Sequence, residues 1–174
     1  MKYILLVSIL GIGSFVGATQ AEQTVVGPLE SDLKISELAS LPQGLTVVHT
    51  PDPVERTFSG PSGFQWTHST TVSSTVGPVT IVEFGCFYED GGRWTFGTGT
   101  KAPFTAEDFA EWYGCAGATL QPGESYTDAH NRSLGNFMPE QVTKWYFIGL
   151  DSQGNRVKGE AGVTLLSDPS QDGC

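Results

Sequence analysis

Positive charge is scarce in this chain. Nine Lys and Arg stand against nineteen Asp and Glu, giving a formal charge of −10. Phosphate backbones and anionic lipid heads repel such a surface, so neither nucleic acid nor a membrane surface is an expected partner. Several catalytic signatures are also missing. No Gly-x-Ser-x-Gly, no His-Glu-x-x-His and no phosphate-cradling glycine loop occurs, and the stretch from Asp151 to Arg156 lacks the spacing of a calcium-binding EF-hand loop. After the first twenty or so residues no long apolar run remains to span a bilayer.

That first stretch reads as an export signal. Lys2 is its positive end, Ile4 to Val16 its apolar middle, and small residues permit cleavage after Ala18 or, preferably, after Ala21. No cysteine follows the cleavage region, so no lipid anchor is expected there. The expected product is secreted or periplasmic, with no membrane insertion after signal removal. The expected domain organisation is a signal peptide over 1–21, a lead-in segment over 22–44, one domain over 45–167 and a polar tail over 168–174. The roughly 150 residues left after cleavage suffice for one packed domain.

With 22 Gly and 10 Pro, the composition is that of a turn-rich β chain. Its organising stretch is Pro78 to Trp94. Val79, Ile81, Val82, Phe84, Phe87 and Tyr88 fit a pleated sheet, and their failure to alternate strictly implies a central strand covered on both faces. Gly85 within it marks a bulge or a close backbone approach. Glu89-Asp90-Gly91-Gly92 supplies a tight hairpin turn, and Arg93 to Phe96 returns. Further strands are expected at Leu45 to His49, Phe64 to Ser74, Val142 to Leu150 and Arg156 to Leu166. In the second of these Phe64, Trp66, His68, Thr70 and Val72 share one face, and the other face is polar, as in a half-solvated strand. In the third, Trp145 and Phe147 oppose Tyr146 and Ile148.

One helix is well signalled, from Thr105 to about Tyr113. Thr105 is an N-cap with Asp108 three residues on, and Phe109, Trp112 and Tyr113 form an apolar face that must pack to hold so short a helix. Ser31 to Leu41 fits neither period and is a short helix or an ordered arm. The segment from Asp128 to Pro139 reads as a polar connection.

About seven strands at intervals near ten residues give an all-β antiparallel two-sheet sandwich with one short helix. In strand count, Pro-Gly turn and final hairpin it resembles immunoglobulin-like or fibronectin type III-like modules. Likeness of architecture carries no function with it.

Three kinds of site are candidates. Cys86 and Cys115 are expected to form a disulfide in an oxidising compartment, closing a loop of about 29 residues worth roughly 3–4 kcal/mol, with Cys174 left over. A copper site would draw on His68 and His130, with Cys115 and Met138 in reach along the chain, although their spacing is wider than the short ligand loop of cupredoxins. Sugar stacking would draw on Trp66 and Trp94 as exposed rings, with Trp112 and Trp145 buried. The acidic residues Glu83, Glu89, Asp90, Glu107, Asp108 and Glu111 supply carboxylates for a hydrolase, but solvated acidic loops are the commoner arrangement. Asn131-Arg132-Ser133 is a glycosylation sequon. The expected function is thus an exported, non-enzymatic binding or accessory module without a cofactor, contacting another envelope or secreted protein. The alternative is a small-ligand binder for copper or carbohydrate in the same compartment.

Overall fold

A computed structural model describes residues 30–60, 63–135 and 140–167. The export signal, the tail over 168–174, Met138 and Cys174 lie outside the described residues. Along the chain run α1 (Glu30–Ser40), β1 (Leu45–Thr50), β2 (Arg56–Phe58), β3 (Phe64–Ser74), β4 (Val79–Asp90), β5 (Arg93–Phe96), β6 (Phe104–Thr105), α2 (Ala106–Tyr113), β7 (Thr119–Leu120), β8 (Ser125–Gly135), β9 (Gln141–Asp151) and β10 (Arg156–Leu165).

The strands form two antiparallel sheets. In the larger, the order is β10-β9-β4-β5, with β6 and β7 also pairing with β4. Residues 79–88 of β4 pair with β9 along one edge, so β5, β6 and β7 share the other. In the smaller sheet β3 is central, with β8 along one edge and β1 and β2 sharing the opposite one. The two-sheet sandwich expected from strand spacing is therefore the observed fold, with two helices rather than one. The finer likeness to immunoglobulin or fibronectin modules remains a comparison of architecture.

Burial explains why β4 carries apolar residues on both faces. Phe84 and Cys86 face the smaller sheet, in a core with Trp66, Val72, Phe109, Trp145 and Phe147. Phe87 faces the other way, into a second cluster with Tyr146, Ile148, Phe96 and Leu38 of α1. The stretch expected as a lead-in thus contributes a helix that covers the outer face of the large sheet. Ions fasten it there. Lys34 Nζ donates to Glu37 at 2.7 Å and to Glu83 of β4 at 2.6 Å, and Arg156 of β10 pairs with Glu37.

Helix α2 has the caps its sequence announces. Thr105 accepts from the Asp108 amide while the Asp108 carboxylate accepts from the Thr105 amide, and Gly114 closes the helix with φ 64°. Its aromatic face packs on Phe84 and Phe147 of the large sheet: Phe109 and Trp112 meet Phe84 with ring centroids 5.8 and 5.4 Å away. The helix also touches β8, so it bridges the two sheets.

One side of the sandwich is stitched shut. Gly44 donates to the Lys158 carbonyl and Lys158 to the Pro42 carbonyl, both at 2.9 Å, and Val54 exchanges backbone bonds with Thr164 and Leu166 at 2.8 and 2.9 Å. On the opposite side β8 pairs only with β3 among the described residues. That strand corrects the expectation of a polar connection over 128–139. Its edge is not a simple template for a further strand. The register slips between His68/Asn131 and Thr70/Asp128, leaving a bulge at Ala129 and His130, and the His130 amide is already taken by Asp128 Oδ1 at 2.9 Å.

Candidate functional site

The open side holds a cleft of about 1100 Å³ between the sheets. Its floor includes Cys86 of β4 and Thr143 and Trp145 of β9, and its walls include Tyr88, Phe104 and Trp112. β8 forms the far wall with Asn131, Arg132 and Leu134, and Glu111, Asp128 and His130 add further polar groups. At this cleft two large apolar side chains stay in water: Trp112 is 39 % exposed and Leu134 51 %. Apolar rings and many polar groups thus share one concavity, which is a candidate binding site.

Behind the floor lies a polar layer sealed between the sheets. His49 of β1, His68 and Thr70 of β3 and Asn131 of β8 are all buried. Thr70 Oγ1 is the hub. It accepts from Asn131 Nδ2 at 2.8 Å and lies 3.1 Å from His49 Nδ1. His49 Nε2 lies 3.4 Å from the Ala161 carbonyl, which only accepts, so the hydrogen belongs on Nε2 and Nδ1 accepts the Thr70 hydroxyl. In that neutral tautomer the ring is satisfied at both nitrogens. His68 is not: it is 1 % exposed and neither ring nitrogen has a partner. Its ring meets His49 edge-on at 5.2 Å and Trp145 at 6.4 Å. Burial, with His49 adding to it, pushes the His68 pKa down to about 4, and burial lowers His49 too.

The disulfide expected between Cys86 and Cys115 is not formed; both thiols are free and buried. The reason is the path of α2. The strand that leads into it, β6, pairs Thr105 with Glu83, and the chain after Cys115 returns to pair Thr119 with Thr80. Cys115 is thus held toward the Thr80 end of β4, and six residues of strand, roughly 20 Å, separate Thr80 from Cys86. The Cys86 thiol rests against Gly97, where a Cβ would stand 2.7 Å away, and burial raises its pKa to about 12. It remains a thiol, not a nucleophile. Burial raises Cys115 also, beside Tyr126.

The other candidates are dispersed. His68 faces inward beside His49, whereas His130 is exposed at the bulge, and among the described residues no group of three or more His, Cys, Asp or Glu is placed to hold a metal ion. Trp66, expected as an exposed stacking ring, is 1 % exposed, and its indole donates to the Leu166 carbonyl at 2.8 Å. Trp94 is half-buried under Lys144, whose Nζ is 5.9 Å from the ring. The two do not make an exposed pair; Trp112, expected to be buried, is the exposed tryptophan. Of the carboxylates, Glu83 is held by Lys34, Asp108 serves the α2 cap, and Glu89 is exposed. The sequon asparagine, Asn131, is buried with its amide nitrogen committed to Thr70. Leu134 and Arg132 escaped notice because their strand did. Trp112 could have been found: it lies one residue from Glu111, at the border between the apolar and charged faces of α2.

No protein-family model matches the chain, and no curated protein matches it. Among solved structures it is similar to a Bordetella pertussis protein provisionally named ApaA, with 16 % identity over 74 % of this chain and 98 % of that one, at a TM-score of 0.47.

Proposed function

We propose that this chain is an exported, non-enzymatic binding or accessory module that engages another envelope or secreted protein at the open side of its sandwich. The observation that carries the reading is the cleft itself, with the apolar surfaces of Trp112 and Leu134 left in water beside it while the opposite side is sealed by backbone bonds. An aromatic ring at a cleft is the kind of residue on which interface energy concentrates. The partner's complementary feature is an apolar side chain inserted between Trp112 and Leu134. The bulge in β8 disfavours simple addition of a strand.

A photo-crosslinking residue at position 134, introduced into the full chain in its producing cells, tests this. A discrete protein adduct is expected from position 134 and none from position 76, an exposed valine in the turn between β3 and β4. With that protein purified, Trp112→Ala is expected to weaken binding about 30-fold, the scale of a central aromatic contact. Equal adducts from both positions, or unchanged affinity, would sink the reading. The cleft volume of about 1100 Å³ also keeps the small-ligand alternative in view, since small-molecule sites span about 300–1,000 Å³. Native mass spectrometry of the purified chain addresses it: a co-purifying small molecule lost in Trp112→Ala would favour that alternative.

A further inference from the structure

The cleft floor is backed by a group that can change charge. Trp145 lines the cleft, and the buried His68 ring meets the same indole edge-on with centroids 6.4 Å apart. Asn131, also in the cleft wall, is tied through Thr70 to His49. We propose that His49 and His68 form a proton-operated latch on this cleft: neutral rings hold the sheets together behind Trp145, and a proton taken up by His68 loosens that contact and alters the cleft's shape. The proposal rests on the reading of the cleft as the binding site, and adds its regulation by acid.

The geometry makes the latch one-sided. Neutral His68 leaves one donor and one acceptor without a protein partner; charged His68 leaves two donors and a full charge without one in the same buried space. Nothing nearby neutralises that charge. On β3 the neighbour is Thr70, on β8 it is Asn131, on β9 it is Trp145, and none of these is ionised. The charged or titratable groups acting on His68 are His49 of β1, which opposes its protonation, and Asp52 in the loop after β1, which favours it. The Asp52 carboxylate already accepts the Thr164 amide at 2.9 Å. The cleft, lined by Trp145 and Asn131, is the solvent nearest to a charged His68. A charged His49 would also have to donate from Nδ1 to Thr70, turning the Thr70 hydroxyl hydrogen away from it.

NMR of the isotopically labelled full chain, titrated from pH 8 to pH 3 without any ligand, tests the latch. The expected result is an acid-shifted transition of the His68 ring that the backbone amides of Cys86, Thr143 and Leu134 follow with the same midpoint. Substituting His49→Gln removes the opposing charge and is expected to move that midpoint to higher pH. In His68→Phe the cleft-amide transition with the His68 midpoint is expected to vanish, whatever the ionisable groups lining the cleft add. Cleft amides that ignore the His68 transition, a midpoint unmoved in His49→Gln, or a cleft transition at that midpoint that survives in His68→Phe would each overturn the proposal. Should His68→Phe not fold, the first two measurements decide. Failure here leaves the crosslink from position 134 standing, and failure of that crosslink leaves this titration standing, so the two readings fail separately.

Discussion

Glycine at position 85 is fixed by a tyrosine ring. Gly85 faces Tyr146 across the β4–β9 pair, and a Cβ added there would stand 3.0 Å from Cε1 and 3.1 Å from the hydroxyl of that ring. The ring cannot easily give, because Tyr146 is fully buried and stacked on Phe87 with centroids 5.2 Å apart. Gly85→Ala is therefore expected to cost about 1–3 kcal/mol, the usual range for overpacking. The Tyr146 hydroxyl makes no hydrogen bond of good geometry, with the Glu83 carboxylate acting on it, so Tyr146→Phe is expected to change stability by no more than about 1 kcal/mol. The double variant should then lose less than the two single changes imply, since the phenylalanine lacks one of the three crowded atoms. Urea midpoints of the three variants check this; strict additivity would contradict it. The sequence alone marks Gly85 as a bulge or a close backbone approach; the group that approaches is a side-chain ring, and the irregularity in β4 falls between Ile81 and Glu83 instead.

Among the elements, legibility followed local signals. Helix α2 was readable because its cap, apolar face and closing glycine sit within ten residues. Thr105→Ala is expected to remove about 1 kcal/mol, seen as a lower melting temperature, because the Asp108 amide loses its acceptor and the Asp108 carboxylate loses the Thr105 hydroxyl, while the backbone bond from residue 105 stays. Strand β8 was unreadable for the opposite reason. Its residues SYTDAHNRSLG are mostly polar, and the bulge at Ala129 and His130 breaks the alternation that would have exposed it. Helix α1 was ambiguous because Leu33, apolar by type, is exposed, while only Ile35, Leu38 and Leu41 make the stripe that packs. The face of β3 carrying Trp66, His68 and Thr70 was grouped correctly, yet His68 and Trp66 were offered for solvent-facing roles. No residue within β3 says that a second sheet covers that face. The cysteine pairing failed likewise, since it depends on the direction α2 takes along β4. Both thiols are expected to resist alkylation in the folded chain, and Cys86 and Cys115 to be labelled without reductant once it is unfolded in guanidinium. Recovery of a Cys86–Cys115 disulfide peptide would refute the arrangement.

At the scale of the whole molecule, acid is the condition to which this fold is most exposed, and the direction follows from where its protons bind. The His68 pKa is about 4 in the folded chain against an ordinary 6.5. Below 6.5 the unfolded chain takes the proton first, so stability is complete above that pH and falls as the pH drops toward 4. The shift corresponds to about 3 kcal/mol across the window, and His49, also lowered, works in the same direction. The ion pairs of α1 and of the β9–β10 pair do not act there. Glu37 and Glu160 are held below the usual carboxylate pKa by their Lys and Arg partners, so their contribution persists until the pH falls past 4.5 and through those lower values. Lys34 is raised, and its contribution is lost only in strong alkali. Unfolding free energy from urea titrations is thus expected to be level between pH 8 and 7 and to decline between 6.5 and 4.5. In His68→Phe most of that decline should vanish, while the steeper loss at still lower pH, which belongs to the carboxylates, remains. If the decline survives the substitution unchanged, the acid sensitivity resides outside the inter-sheet layer, and the buried histidine is only a packing residue.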